Sequence, residues 1–167
     1  MREKSSQLAS QLIRNFNELA MEKFIRAPLY ESTSARLGTA TAACKLGASI
    51  DIVPAGKRAC PYHYHHAQEE MFIVIEGSGT LRVAGELLPL KCGDVVFIPA
   101  GPQYPHQILN TSNAPLKYLS ISTRESPEIC VYPDSGKHQA IAHADGVLTV
   151  QAVHREESSL DYWDGEL

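Results

Sequence analysis

The stretch that decides the fold and the site is residues 61–81, PYHYHHAQEEMFIVIEGSGTL. Side chains alternate between the two faces of a β-strand, so His63 and His65 point to the same side. Two imidazoles at such positions can hold one metal ion, which requires metal–nitrogen distances of about 2.0–2.1 Å. Glu70 adds a carboxylate directly before the strand, and alternate apolar residues of MFIVI share its parity. The stretch therefore predicts a metal site with apolar walls, suited to a small molecule.

A further ligand has to come from a distant part of the chain. His106 opens a short strand-like run at 106–110, which can lie opposite the first histidines if the sheet closes into a barrel. Glu69 competes with Glu70 for the carboxylate position. Three imidazoles and one carboxylate suit Mn, Fe, Ni, Zn or Cu, with one or two coordination positions left for water or substrate.

Short β-rich runs separated by Gly- and Pro-containing turns begin at residue 46. They lie at 46–53, 71–75, 79–83, 86–90, 95–98, 107–111 and 116–122, with later runs at 129–132 and 147–153. Short strands at close, regular spacing favour an antiparallel sandwich or barrel. The alternation of strands with long helices that a parallel α/β fold requires is missing. The chain is therefore predicted to be all-β.

These patterns resemble the two sequence motifs of the cupin superfamily. The first motif is matched by Gly56, His63, His65, Glu70 and Gly77. The second motif is matched by Gly93, Pro99, Gly101, His106 and Asn110. The gaps on either side of Glu70 fit the first motif, which selects Glu70 over Glu69. Two loops are longer than the motifs expect, and the second insertion places Tyr104 where the histidine usually stands.

The resemblance covers residues 46–122. Sequence segments beyond residue 122 are similar to those of small single-domain bacterial cupins that mostly lack an assigned reaction. The resemblance implies a double-stranded β-helix, or jelly-roll barrel, to which the flanking sequence adds an N-terminal helix and a short C-terminal arm. It also implies one divalent transition metal, Mn, Fe, Zn or Ni, held by His63, His65, Glu70 and His106.

The same resemblance implies an enzyme that acts on a small polar metabolite, either a sugar (phosphate) isomerase or epimerase or a dioxygenase. An isomerase that works through an enediolate needs a base near the ion, and the sequence offers Tyr104 and His66. Lys57 and Arg58 precede the ligands and are candidates for receiving an anionic group, although such a pair is more often a solvated loop. A non-catalytic small-ligand binding or sensor module is the alternative function, and a barrel without metal is a third.

Residues 5–26 are predicted to form a helix, because apolar residues recur there at roughly helical spacing. Ser5 or Ser6 can cap its start and Pro28 ends it. We favour a helix that packs on the outside of the main domain over one that serves dimerisation.

The whole chain is interpreted as one domain with three parts. These are an N-terminal helix and lead-in (1–45), a barrel core (46–125), and C-terminal strands with a tail (126–167), the tail forming a short helix or an arm that packs on a neighbour. Because cupins are commonly dimeric and two-fold pairs are the commonest symmetric state, we predict a homodimer.

Composition narrows the function classes. The 167-residue chain has a formal net charge of −4 and a pI near 6.0. This balance argues against nucleic acid or an anionic membrane as a partner, since phosphate binding needs clustered Lys and Arg. The start of the chain lacks the apolar stretch of a signal peptide, and no window approaches the ~20 apolar residues of a membrane span, so a cytoplasmic location is expected. The four cysteines are expected to be reduced, with Cys60 the candidate for a ligand or nucleophile.

Overall fold

The computed structural model describes residues 2–144 and 146–166, and most of its regular structure is β-strand. One α-helix, α1, spans Arg2–Leu12, and two 3-10 turns lie at Pro133–Ser135 and Glu156–Ser158. The strands are β1 (Glu22–Arg26), β2 (Tyr30–Arg36), β3 (Leu46–Val53), β4 (Tyr64–His65), β5 (Glu70–Glu76), β6 (Ser78–Val83), β7 (Glu86–Lys91), β8 (Val95–Ile98), β9 (His106–Leu109), β10 (Leu116–Thr123), β11 (Glu128–Tyr132), β12 (Lys137–Ala144) and β13 (Val147–Arg155).

The strands form three antiparallel sheets. One has six strands in the order β1-β2-β3-β10-β5-β8, one has four in the order β13-β12-β11-β4, and one has three in the order β7-β6-β9. Strand β10 pairs with both β3 and β5, which are distant from it in sequence. Such long-range antiparallel pairing between short strands is typical of jelly-roll barrels. The sequence-based prediction of an all-β barrel is therefore confirmed.

An apolar cluster joins the six-stranded sheet to the three-stranded sheet. Its buried members are Val53, Phe72, Val74, Leu81, Leu90, Ile98, Ile108, Leu116 and Tyr118. Burial of each such aliphatic or aromatic side chain contributes about 1.5–3 kcal/mol. Phe72 and Tyr118 also line the cavity described below, so the cluster forms the floor on which the site is built.

The turn between β5 and β6 depends on a glycine. Gly77 has φ +83°, and a Cβ placed on it would lie 2.5 Å from the carbonyl oxygen of Pro115. Only glycine tolerates both the left-handed backbone and this close approach. The last glycine of the first motif thus lets the chain pass from the six-stranded sheet to the three-stranded sheet.

The prediction of a helix over residues 5–26 is wrong in its second half. Helix α1 ends at Leu12, and β1 pairs with β2, with Phe24 opposite Ser32. Pairing with β2 overrides the weak helical periodicity, and the Phe-Ile pair in β1 suits a strand. Leu8 and Leu12 are exposed, so α1 does not bury its apolar side chains against this chain as expected.

The sequence did not predict β2 or β12. Strand β2 reads YESTSAR and β12 reads KHQAIAHA, and neither shows the apolar alternation of a half-buried strand. Strand β2 lacks apolar alternation because its serines face a cavity rather than the apolar cluster. Among the described residues, no helix has the length and apolar content that crossing a membrane would require.

Candidate metal centre

Three imidazoles converge on one carboxylate oxygen inside the barrel. The Oε2 atom of Glu70 lies 2.7 Å from Nε2 of His106, 3.5 Å from Nε2 of His65 and 3.7 Å from Nε2 of His63. Ligand atoms that each lie about 2.0–2.2 Å from a common ion are separated from one another by about 3–3.5 Å. The structure therefore brings together the four residues that the sequence singled out. Ligand atoms of His63, Glu70 and His106 all lie within 4.8 Å of one another, and His65 approaches the same carboxylate oxygen.

Backbone pairing explains how His106 reaches a site more than forty residues away in sequence. The His63 amide donates to the His106 carbonyl at 3.1 Å, and the His106 amide donates to the His63 carbonyl at 2.7 Å. This reciprocal pair fixes the two side chains next to each other, with ring centroids 4.6 Å apart. Closure of the barrel thus joins the two motifs at these two residues.

Backbone carbonyls orient two of the imidazoles. Nδ1 of His63 lies 2.8 Å from the Pro61 carbonyl, and Nδ1 of His106 lies 3.1 Å from the Tyr104 carbonyl. Nε2 of each ring faces Glu70. A ring whose Nδ1 contacts a backbone carbonyl and whose Nε2 faces the ligand cluster is the arrangement commonly found in protein metal sites. Both His106 Nε2 and Glu70 Oε2 are buried without a well-directed hydrogen bond, so the donor set fits a divalent metal.

Glu128 is a functional candidate that sequence analysis missed. Its carboxylate is buried and accepts hydrogen bonds from the amides of His66, Ala67 and Gln68 at 2.8–3.1 Å. Its Oε1 also lies 3.4 Å from Nδ1 of His65. Glu128 therefore fixes the loop between β4 and β5 and lies beside a third imidazole. A glutamate inside the otherwise apolar strand EICVY was the available signal.

Burial and neighbouring charges set the protonation of the cluster. Burial, together with the nearby His106, lowers the pKa of His63 to about 4. Burial raises the pKa of Glu70, but the adjacent His106 and the other two imidazoles outweigh it and hold that pKa below its ordinary value. Near neutral pH the cluster thus offers a neutral imidazole at His63 and an ionised carboxylate at Glu70, the states that bind metal.

The cluster opens on a cavity of about 560 Å³. One wall is polar and is formed by Ser32, Ser34, Ser49, Asp51, Tyr118 and Ser120. Burial raises the pKa of Asp51, although a hydrogen bond that Ser49 donates to its Oδ2 at 2.7 Å opposes this shift. The cavity therefore places a carboxyl group of elevated proton affinity among hydroxyls, on the inner face of the sheet that carries Glu70.

The other sequence candidates lie outside this cavity. Tyr104 is exposed, and His66 faces a different pocket on the outer side of β11. Lys57 donates to the Pro28 carbonyl at 2.7 Å, and the Arg58 guanidinium lies 5.8 Å from the Tyr30 ring. Glu69 is exposed. None of these five lines the cavity.

Two cysteines adjoin the cluster. Cys60 lines the cavity, and burial raises its pKa to about 12. The Sγ atom of Cys130 lies within 4.8 Å of imidazole nitrogens of His63 and His65, and burial raises its pKa to about 11. Both are therefore protonated thiols near neutral pH, which disfavours a nucleophilic role because the thiolate is the reactive form.

Residues 49–122 match the cupin domain family. The chain contains a cupin domain. The chain is 39% identical over 71 residues to an uncharacterised protein of Methanocaldococcus jannaschii and 34% identical over 59 residues to an oxalate-binding protein of Thermotoga maritima. The matches cover 42% and 35% of this chain and 54% and 47% of the relatives. The chain therefore spans about half the length of the curated relatives that it matches.

Solved cupin structures align over more of the chain. A protein with a provisional sugar phosphate isomerase assignment, from Acidithiobacillus ferrooxidans, aligns with a TM-score of 0.76 and 23% identity over 91% of this chain and 96% of that chain. This likeness shows the fold. A sugar phosphate isomerase of the cupin superfamily from Silicibacter pomeroyi aligns with a TM-score of 0.68 and 28% identity, covering 80% and 82% of the two chains.

Proposed function

We propose that this cupin is a metal-dependent isomerase that interconverts a hydroxy-aldehyde and a hydroxy-ketone of a small polyhydroxylated compound. The observation that carries the proposal is the cavity, in which His63, His65 and Glu70 face a wall of hydroxyls and one half-buried carboxyl, with His106 directly behind Glu70. The description of the Silicibacter pomeroyi neighbour as a sugar phosphate isomerase supports the same reaction class.

The four clustered side chains would hold a divalent metal, and a metal held there would polarise a substrate carbonyl as a Lewis acid. The chain contributes the orientation of these donors. Backbone carbonyls hold the rings of His63 and His106, and Glu128 lies beside that of His65. Phe72 lines the cavity beside them and gives that end an apolar side.

Asp51 is the proposed base, replacing the sequence candidates Tyr104 and His66. Its carboxylate would remove the proton from the carbon beside the carbonyl and return it to the former carbonyl carbon. The hydroxyl proton moves between the two oxygens, so the reaction is a balanced isomerisation without a co-reactant. The raised pKa of Asp51 supports this role, since an effective base has a pKa nearer to the working pH.

The hydroxyl wall supports a polyhydroxylated substrate. Ser34 lies opposite Asp51 on the neighbouring strand, and Ser120 lies opposite Ser49. Each hydroxyl can both donate and accept a hydrogen bond, which matches the hydroxyls of a sugar chain. A site that makes such hydrogen bonds rejects analogues that lack them, because its own polar groups would be left unpaired.

The test measures metal content and hydrogen exchange at carbon. Protein purified without a histidine tag is analysed by elemental mass spectrometry and then incubated with a panel of aldoses and ketoses in D₂O. We expect about one transition metal per chain, deuterium incorporation beside the carbonyl, and a loss of incorporation of at least about 100-fold in Asp51→Asn with metal content retained.

Tyr104→Phe and His66→Gln serve as matched controls and should exchange like the unmodified protein. If either control lost exchange while Asp51→Asn kept it, Asp51 would not be the base. If metal-loaded protein exchanged no hydrogen with any member of the panel, the isomerase proposal would be rejected.

The second candidate function is non-catalytic binding of a small ligand. The specific observation in its favour is the relative from Thermotoga maritima, which is described as an oxalate-binding protein. A binding module would take up its ligand and return it unchanged after long incubation with metal-loaded protein. Binding of oxalate without hydrogen exchange in any sugar would favour this function.

We also propose that the chain forms a homodimer through the outer face of the six-stranded sheet. Phe97 and Val95 on the edge strand β8 are 71% and 47% exposed, and Phe97 lies opposite Met71 on β5. Contiguous exposed apolar residues of this kind are typical of interaction surfaces. Light scattering at micromolar protein should give twice the chain mass, and a monomeric mass would exclude the dimer.

A further inference from the structure

We propose that Arg36 and Arg124 form a phosphate subsite at the open end of the metal cavity. The inference rests on the proposed function and narrows its substrate to a phosphate monoester of a polyhydroxylated carbonyl compound. The carbonyl end would lie at the His63 cluster, the hydroxylated body along the serine wall, and the phosphate between the two arginines.

A second pocket, of about 340 Å³, continues the metal cavity. The two share Ser49 and Ser120, so a ligand can extend from one into the other. Beyond these shared serines the second pocket is lined by Arg36, Arg124 and further polar groups that include Thr39 and Ser122. The charged end of the combined cavity is thus separated from the metal end by a hydroxylated middle.

Strand register gives the separation of the two ends. Ser122 lies opposite Glu70 on the neighbouring strand, and Gly47 lies opposite Ser122 on the next one. Two strand spacings of ~4.8 Å place the Gly47 position about 10 Å from the Glu70 position. This span suits a substrate of several carbons with one functional group at each end.

Gly47 makes room for one of the arginines. A Cβ built on Gly47 would lie 3.7 Å from both Cγ and Cδ of Arg124 and 3.1 Å from Oγ of Ser122. The Arg124 side chain therefore crosses the inner face of the sheet over the glycine. Arg36 reaches the same pocket from β2, where it lies opposite Ser49.

The charge of this pocket is uncompensated. In the described ranges, neither Arg36 nor Arg124 makes an ion pair, and no carboxylate lines the pocket. By contrast, Arg82 on another sheet is held by both carboxylate oxygens of Asp134, at 2.6 and 2.9 Å. Guanidinium groups stay charged at every physiological pH, so these two exposed side chains offer positive charge to an anion in the pocket.

Phosphate fits this arrangement better than a carboxylate does. One guanidinium can satisfy both oxygens of a carboxylate in a single plane. Here the donors come from two strand ends, from Arg36 and Arg124, with the Thr39 and Ser122 hydroxyls beside them. Donors that approach from several directions match the three outer oxygens of a tetrahedral phosphate ester.

The experiment compares two probes that cannot isomerise, sorbitol 6-phosphate and sorbitol, by titration calorimetry on metal-loaded protein at fixed ionic strength. We expect sorbitol 6-phosphate to bind at least about tenfold more tightly. Arg36→Gln and Arg124→Gln should each remove about tenfold of affinity for sorbitol 6-phosphate and leave sorbitol unchanged. Arg36→Lys and Arg124→Lys should lose less, since they keep the charge but not the paired donors.

Arg58→Gln is the matched control, because Arg58 is an arginine that the sequence offered for this role and that lies outside both pockets. It should bind both probes like the unmodified protein. Equal affinity for the two probes, or equal behaviour of the Arg36, Arg124 and Arg58 variants, would overturn the phosphate subsite.

A further binding experiment tests the phosphate subsite in protein whose metal site has been disrupted. Binding of inorganic phosphate to His63→Ala protein should persist and should weaken in Arg36→Gln made in the same background. If the unmodified protein took up no metal while this arginine-dependent binding persisted, the result would count against the isomerase and still support the subsite. Absence of this binding, with normal metal uptake by the unmodified protein, would count against the subsite alone.

Discussion

Two neighbouring rows of side chains cross the six-stranded sheet, and they have opposite character. The row on the inner face is Phe72, Ser120, Ser49 and Arg36. The row on the outer face is Ile73, Leu119, Ile50 and Ala35. Each residue of one row is the sequence neighbour of a residue in the other. In these rows three of the four inner side chains are polar and all four outer ones are apolar, the reverse of the usual pattern for a sheet with one solvated face. Further along the same inner face, Val53 and Val74 belong to the buried apolar cluster.

The difference indicates what each face contacts. A polar inner face is stable only if water or a ligand satisfies its groups, since buried polar groups without partners are costly. An apolar outer face is stable where another part of the protein covers it. Ile50 is buried there, whereas Val95 and Phe97 at the far edge are exposed. The polar part of the inner face is therefore adapted to a ligand, and the uncovered part of the outer face to a second copy.

The largest expected effect is loss of metal from the inner face. His106→Gln keeps the side-chain volume at a position only 1% exposed but removes an imidazole. We expect metal affinity to fall by more than about 100-fold, because even residues that only orient ligands contribute 10–100-fold. Competition with a chromogenic chelator measures the change. His66→Gln is the control, and retained affinity in His106→Gln would exclude His106 as a ligand.

The next effect concerns the support of the ligands. Glu128→Gln is expected to weaken metal binding by about 10–100-fold, because the neutral amide accepts the three loop amide hydrogens and the His65 imidazole less strongly. The same chelator competition applies. Glu125→Gln, on an exposed neighbour, should leave the affinity unchanged. Equal affinities in the two variants would mean that Glu128 does not support the site.

A change on the outer face tests its predicted role in assembly. Phe97→Asp introduces a charge at a side chain that is 71% exposed in the single chain. Burying that charge in a two-fold interface is unfavourable, so the dimer dissociation constant should rise by at least about tenfold. Sedimentation velocity measures it. Leu87→Asp, at an exposed apolar position on β7, is the matched control and should leave the dimer intact.

The smallest expected effect is a change in thermal stability. It is measured at two aspartates whose charges contribute to folding stability with opposite signs. Burial raises the pKa of Asp51, so its charged form is disfavoured in the folded state and lowers stability at neutral pH. Asp51→Asn should therefore raise Tm by about 2–4 °C, equivalent to about 1 kcal/mol. The same substitution would remove the proposed catalytic base.

The charged form of Asp134, unlike that of Asp51, is expected to stabilise the folded state. The hydrogen bond from Arg82 lowers the pKa of Asp134, so its charge stabilises the fold above the ordinary aspartate pKa and this contribution is lost as the pH falls. Asp134→Asn should lower stability at neutral pH by less than about 1 kcal/mol, since the pair is largely exposed. Calorimetry at equal metal loading compares the variants. A lower Tm in Asp51→Asn would mean that the inner carboxylate stabilises the fold.

Much of the barrel could be predicted from local sequence. Strands β3 and β8 have the predicted bounds, and β5, β6 and β10 differ by one residue at each end or less, because each combines apolar alternation with a Gly or Pro turn. The region before residue 46 was predicted less well. Strand β2 has serines where a typical strand has apolar residues, and β1 owes its conformation to pairing with β2.

The sequence by itself determined the all-β architecture and the four clustered residues His63, His65, Glu70 and His106. It could do so because strand periodicity fixes which side chains share a face, and the motif spacing fixes the rest. Only the tertiary structure placed Asp51 in the metal cavity, Glu128 beside His65, and the two arginines in the adjoining pocket. These residues come from strands that are distant along the chain and become neighbours through sheet register, which has no signature in local composition.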